Sequence, residues 1–371
     1  MSALIAHRSL LRIALSAAHA FAWVAVFQFF LERSLSVSAA LSSVVLTYAL
    51  THTVVVLLTP LAARHTRRGM KMPMLLATLS AAAAFAAFAG GFISDMAWGI
   101  TSFALLMGVY RALYFVPYSL VVSKSTTSVE ILVTLMPAAA GLLVSFTDMP
   151  AYLFACASAV LALSTLPLAR LPERHEGFSW TYRGTFHELV APENRRLIIA
   201  AICGGIEGAV LLLLWPIAVW MLLYQSYPLL GIVLSVTLLL TMLVRGVLHR
   251  AGILMTPVVS TAMAASGWIF RIFTANGGAV ILVNIFSTAA DSDRHGVDTV
   301  THEQAADNHT FVDEFTALKE MGNAIGRVIL CVLVGGLAPF LMMSAALAAA
   351  FLFAGAAGLL SLYVSKPRAG F

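Results

Sequence analysis

The sequence predicts an all-α integral membrane protein, with roughly twelve membrane-spanning helices disposed as two pseudo-symmetric bundles of six. Three observations carry that expectation. The 371 residues are 60% hydrophobic and 11% charged, with a mean hydropathy of +0.92, whereas a soluble domain has about 25% charged residues. Apolar runs of roughly 18–25 residues recur, each long enough to cross about 30 Å of hydrocarbon as a helix. They are continuous rather than alternating, which argues against barrel strands. Midway lies one long hydrophilic stretch, LPERHEGFSWTYRGTFHELVAPENRR at 171–196, with an apolar block of similar length on each side.

The first run, 11–31, follows Arg8 and Arg12 in the manner of a signal peptide. It is too long for one and ends in no small-residue cleavage site, so it is expected to stay as the first span. Spans follow at 37–62, 72–93, 97–123, 129–146 and 151–169, then at 197–224, 228–248, 253–273, 278–303, 323–340 and 344–364. The connections alternate in charge. Arg8 and Arg12, then Arg64, Arg67, Arg68 and Lys71, then Lys124, the arginines of 170–196, Arg245 and Arg250, and finally Lys366 and Arg368 fall on one side. The other side is poor in cations, with Arg33 and Arg271 as its exceptions. The positive-inside rule puts the first set and both termini in the cytoplasm, of a multi-pass protein expected in the inner (plasma) membrane.

Three units result: an N-terminal bundle 1–170, a linker 171–196 and a C-terminal bundle 197–371. Within the linker, Phe178, Tyr182, Phe186, Leu189 and Val190 sit at helical spacing with Arg183, His187 and Glu188 between them. That pattern predicts an amphipathic helix over 178–190 lying along the membrane surface. The net charge of +5 comes from topology signals and points to no nucleic-acid partner. Cys156, Cys203 and Cys331 stand alone in apolar surroundings without metal spacing. They read as packing residues, and neither metal nor cofactor is expected.

The two blocks echo each other. The first span of each begins after a basic residue, Arg8 or Arg196, and carries His19 or Glu207 eleven residues later. The second span of each ends in a basic turn, RHTRRGMK or RGVLHRAG. Parallel repeats of this kind hold a site between them near the midplane in many transporters.

Over nearly its full length the chain resembles the major facilitator superfamily of secondary transporters, in six spans, a cytoplasmic linker and six spans. The stretch TPLAARHTRR, 59–68, is similar to that family's loop signature of glycine, Leu-Ala-Asp-Arg, glycine and a basic pair. It keeps the Leu, the Ala and three arginines, but Thr59 and Thr66 replace the glycines and Ala63 replaces the acid. The resemblance implies alternating access around a midplane cavity. It also implies a cytoplasmic gate, for which Arg64, Arg67, Arg68, Arg245, Glu320 and Arg327 are candidates. In the family the acid helps latch that gate, so Ala63 leaves the partner of Arg64 open. The expected partners are a small-molecule substrate, a proton or other cation, and the bilayer, for a chain working as a monomer.

Intramembrane polar residues are the candidates for transport chemistry, because a lipid-facing charge at helix centre costs about 2.5–3.5 kcal/mol. Asp291, Arg294, His295, Asp298 and His302 recur on one helical face of the tenth span. They form either a proton or substrate relay or, if the span ends near Ala290, part of a connection. Glu207, among Gly204, Gly205 and Gly208, is the sharper single residue, since the glycines admit a close helix or ligand. Arg111, with Tyr110, Tyr114 and Tyr118 near it, can bind an anionic group, pair with Glu207 or an acid of the tenth span, or reach the cytoplasmic edge. His19 is a candidate proton carrier, although lone histidines such as His19 and His52 more often serve packing. Asp313, Glu314, Lys319 and Glu320 suggest a solvated connection before the eleventh span.

No phosphate-loop or zinc motif occurs in the sequence, so it supports neither an ATP-driven pump of that kind nor a zinc hydrolase. An intramembrane transferase holding Mg²⁺ on Asp291, Asp293 and Asp298 would need a second acid cluster. A transporter fold turned sensor or lipid-handling protein is the other alternative, favoured by Ala63.

Overall fold

The computed structural model describes residues 2–34, 36–119, 127–173, 175, 177–251, 257–290 and 312–365. Among the described residues the regular structure is helical. Helices α1 (Ser2–Arg33), α2 (Val37–His65), α3 (Lys71–Ile93), α4 (Trp98–Ser119), α5 (Thr127–Thr147) and α6 (Pro150–Ala169) precede the linker. The short α7 (Tyr182–Val190) lies within it. Helices α8 (Arg195–Ala209), α9 (Trp215–Leu222), α10 (Tyr227–Arg250), α11 (Pro257–Ile272), α12 (Gly277–Ala290), α13 (Val312–Leu337) and α14 (Met343–Ser365) follow. A π-helical turn, Val210–Leu214, fuses α8 and α9 into one rod.

Ten helices among the described residues are long and apolar enough to cross a membrane. Only 28–56% of the residues in their most apolar windows are buried, and side chains such as Leu46, Leu57, Leu76 and Leu105 face outward. Water would not tolerate that surface, whereas hydrocarbon solvates it. The chain is therefore a multi-pass membrane protein. Tight turns join the spans at the end away from the linker. Asp95, Asp148, Tyr224 and Gln225 adopt positive φ there, and the Ser36 hydroxyl caps α2 by accepting from the Ala39 N–H.

Before the linker, α3 packs on α4 and α6, α1 on α6 and α2 on α4. After it, α8 packs on α13 and α14, α11 on α12 and α14, and α10 on α12. Two long seams join these sets, α2 against α13 and α5 against α10. Close backbone approach sets α13. A Cβ added at Gly205 or at Gly326 would collide with the backbone of Asn323 or of Ile202, so α8 and α13 touch main chain to main chain.

Two sequence expectations change, and a third falls largely outside the described residues. The eleventh span starts at Val312, not near 323, so Glu314 and Glu320 belong to a buried helix rather than to a solvated connection. Phe315, Leu318 and Met321 give that segment a helical apolar stripe, which its charges mask in average hydropathy. The linker helix starts at Tyr182, and Phe178 leaves the membrane surface to lie fully buried against α2, α4 and α13. The tenth span is seen only as Gly277–Ala290. Asp291, Arg294, His295, Asp298 and His302 lie outside the described residues.

Candidate functional site

The α2–α13 seam carries the charge. Arg111 of α4 and Glu320 of α13 form an ion pair, Nη2 to Oε2 at 3.5 Å, with side chains 17% and 13% exposed. The Arg111 guanidinium also lies 4.5 Å above the Phe115 ring. Two turns further along α13, Arg327 is 7% exposed. Its Nη1 donates to His52 Nε2 at 3.5 Å, and the Tyr48 phenol lies in its field. Tyr48 and His52, one turn apart on α2, meet edge to face at 4.4 Å. His19 of α1 lies in the field of both Arg111 and Arg327.

Depth follows from helix position. Arg327 stands fifteen residues into α13 and ten from its end, roughly 22 Å and 15 Å of helix rise. His52 is similarly central in α2, and His19 in α1. Arg111 and Glu320 lie nearer the linker end, each eight residues from the terminus of its helix there.

Among the described residues the charges do not balance within the cluster. Arg111 has Glu320, but among the described residues no carboxylate comes within 4.0 Å of Arg327, and its Nε has no hydrogen-bond partner. Because His52 Nε2 accepts from Arg327, the proton of a neutral imidazole sits on Nδ1, which is buried and unpartnered among the described residues. A buried guanidinium whose Nε has no hydrogen-bond partner among the described residues, beside an imidazole and a phenol, has the donor chemistry that an anion would need.

Glu207 lies near the end of α8, beside the π-helical turn, and is half-buried, with Cys203 in its field. Its neighbour Gly208 forms the floor under Arg327, where an added Cβ would stand 3.2 Å from Nη2. The close helix approach expected of these glycines is present, but Arg111 pairs with Glu320 rather than with Glu207. Arg64, Arg67, Arg68 and Arg245 are exposed and make no ion pair among the described residues.

At the linker end the seam is closed by other means. Phe178 fills a pocket of Ala63, Val116 and Ala317. Ser179 donates its backbone N–H and its hydroxyl to Glu314 Oε1 at 2.8 Å and 2.5 Å. Trp180 stacks edge-on to Phe315. Glu173 accepts from the Lys71 N–H at 3.0 Å. Ala63, which replaces the signature acid, is thus the wall of an apolar plug.

The sequence did not single out Tyr48, put Glu314 in a solvated connection and left His52 as a packing histidine. The i, i+4 spacing of Tyr48 and His52 and the helical phase of Glu314 with Leu318 were the available signals. His7, by contrast, is a satisfied packing histidine, with Nδ1 2.8 Å from the Ser164 carbonyl and Nε2 3.1 Å from the Tyr114 hydroxyl.

No protein-family model matches the chain, and no curated protein matches it in sequence. Solved structures do match in shape. The human organic anion transporter MFSD10 (TETRAN) superposes with a TM-score of 0.58 at 12% identity, over 98% of each chain. A mutant of the nucleoside transporter NupG gives a TM-score of 0.64 at 14% identity, over 97% of this chain and 98% of that one. A POT family transporter bound to a thioalcohol-conjugated peptide gives 0.64 at 10% identity, over 98% and 94%. In architecture the chain is a multi-pass helical membrane protein that shares the fold of these solved transporters.

Proposed function

We propose that the protein is a secondary active transporter that moves a small organic anion by alternating access, with Arg327 as the anion receptor. The moving parts are the six-span bundles 1–170 and 197–371, rocking about the two seams. The contact pattern supports this reading, because the second span of each bundle (α2, α10) packs on the fifth of the other (α13, α5). That exchange is what a pseudo-twofold axis between parallel repeats requires. Both termini and the linker lie in the cytoplasm of a cell whose inner membrane holds the chain. The exposed Arg64, Arg67 and Arg68 on the linker side agree with the positive-inside rule.

The observation that carries the substrate class is Arg327, buried at mid-span with no carboxylate within 4.0 Å among the described residues. Lipid makes an uncompensated charge costly, so its retention argues for a ligand that supplies the opposite sign. His52 and His19 beside it, and Glu207 beneath, are the groups placed to couple a proton to that anion. The POT family transporter and the nucleoside transporter illustrate how varied the cargo of this fold is. They therefore leave the choice to the site itself.

The test uses proteoliposomes on a solid-supported membrane, challenged in turn with small carboxylates, dipeptides, nucleosides and organic amines. Carboxylates should evoke a saturable current, reduced about tenfold or more by Arg327→Gln. A response to amines alone, or one that survives Arg327→Gln intact, overturns the assignment. A sensor built on the same fold, the reading Ala63 favours, would bind the carboxylate without flux in the same vesicles.

A further inference from the structure

Gly205 and Gly326 hold α8 and α13 backbone to backbone, and about one turn further along the same contact Gly208 meets Arg327. The three glycines are not alike. A Cβ at Gly205 would run into the Asn323 carbonyl, and one at Gly326 into that of Ile202, so rigid main chain forbids a side chain at either. A Cβ at Gly208 would meet only the far end of the Arg327 side chain, Nη2 at 3.2 Å, Nε at 3.6 Å and Cζ at 3.8 Å. Helix packing therefore does not demand glycine at 208. What the missing side chain leaves open is space beside a guanidinium.

Those three distances locate the space. A group stacked on the guanidinium face would lie as close to Cζ as to the nitrogens. Here Cζ is the most distant of the three, so the position stands in front of the Nε–Nη2 edge, where the donors of the fork point. Nη1, off that edge, is engaged by His52 Nε2 at 3.5 Å. Arg327 is 7% exposed, and its Nε has no hydrogen-bond partner among the described residues. His52 thus holds the guanidinium from α2, while Gly208 keeps the α8 side of its fork unobstructed. The π-helical turn Val210–Leu214 begins two residues after Gly208, and such turns gather at functional sites.

We propose that Gly208 is the specificity-determining residue of the Arg327 site, where an oxygen of a planar carboxylate takes the place of the absent Cβ and binds the Nε–Nη2 fork. The inference deepens the reading of Arg327 as anion receptor and rests on it. A carboxylate matches the fork with two parallel N–H···O bonds in one plane. Such a flat head needs little height above the α8 backbone. A tetrahedral sulfonate carries a third oxygen out of that plane, towards one of the walls. The seat therefore selects the shape of the head as well as its charge.

The test titrates acetate and benzoate into the full-length protein in neutral detergent, with benzamide and benzenesulfonate as the neutral and the tetrahedral controls. A ligand that binds only the folded state raises the thermal midpoint by mass action, which yields its affinity. Both carboxylates should raise it saturably, benzamide should not, and benzenesulfonate should bind about tenfold or more weakly than benzoate. Gly208→Ala should weaken both carboxylates about tenfold or more. Its ligand-free midpoint should stay close to wild type, because the methyl displaces only a side-chain tip. Gly336→Ala in α13, where an added Cβ meets nothing within 4 Å among the described residues, should leave both affinities intact. If Gly208→Ala proves unstable, the benzoate-to-benzenesulfonate ratio of the wild type decides, and equal affinities overturn the planar seat. Carboxylate affinities unchanged in Gly208→Ala but lost in Arg327→Gln overturn the seat and keep Arg327 as the receptor. Affinities that survive Arg327→Gln, or no response to either carboxylate, overturn both.

Discussion

Helix α5 meets α10 through bare backbone, whereas α2 meets α13 through charge. In the first seam a Cβ added at Gly231 would strike the Pro137 carbonyl, and one at Gly141 would strike that of Tyr227. The Ser235 hydroxyl accepts from the Ala138 N–H at 2.9 Å. No ionised side chain enters those contacts. In the second seam lie Arg327, His52 and Tyr48, flanked by the Arg111–Glu320 pair and plugged by Phe178. The two seams occupy equivalent places in the proposed pseudo-twofold, so geometry alone does not require one to be charged. In the proposed cycle, a seam of close backbone contacts suits a pivot that keeps its spacing. A seam with an unbalanced guanidinium suits a place where a ligand comes and goes. Structural symmetry is here separated from chemical symmetry.

The largest effect should come from breaking charge balance. Glu320→Ala leaves Arg111 buried without its carboxylate, a loss of about 3–5 kcal/mol for such pairs. A sharply lowered thermal midpoint in detergent is the expected result. The double variant Arg111→Gln, Glu320→Gln should recover most of it, since both charges leave together. If the double variant is as unstable as the single one, the pair is not what holds that side of the seam.

Next comes the plug. Phe178→Ala removes a fully buried ring, about 3 kcal/mol or more by analogy with other cores. It should also open the linker end. With Cys156, Cys203 and Cys331 replaced, a thiol placed by Ala317→Cys should label slowly with an impermeant maleimide and many times faster in the Phe178→Ala background. Unchanged labelling would mean that Phe178 anchors the linker without gating the seam. On the neutral side, Gly231→Ala drives a methyl into the Pro137 carbonyl and should cost about 1–3 kcal/mol, as overpacking does. Because the strain falls on the proposed pivot, flux should drop more than the anion affinity.

Much of this architecture was readable in advance, for identifiable reasons. Ten of the expected spans reappear because continuous apolar runs leave a helix as the only way to satisfy the backbone in hydrocarbon. The glycines around Glu207 announced close packing, and α8 does pack against α13 there. What failed to show was long-range pairing. Arg111 and Glu320 are far apart in sequence, and the charges at 313, 314, 319 and 320 made the start of α13 look solvated. Average hydropathy cannot register that Glu314 is received by the Ser179 N–H. Phe178 read as one more apolar position of an amphipathic helix because periodicity does not say where a chain dips inward. Arg327 was placed only as a gate candidate, since nothing local to α13 reveals the histidine and tyrosine that α2 brings to it.

The smallest change is the most discriminating about the pivot. Ser235→Ala removes one hydroxyl that accepts from the Ala138 N–H just beyond Pro137. A neutral hydrogen bond of this kind contributes about 0.5–1.5 kcal/mol. If α5 and α10 keep their spacing through the cycle, the bond is present in both the inward- and outward-open states. Its loss then lowers the thermal midpoint slightly and leaves the ratio of the two states unchanged. If instead this seam separates at one end, the bond exists in only one state, and its removal shifts the population towards the other. Thiol accessibility measured from both sides of the membrane reads that ratio directly. A shifted ratio with Ser235→Ala would place the moving contact in the neutral seam, and the charged seam would then bind the anion without being the part that opens.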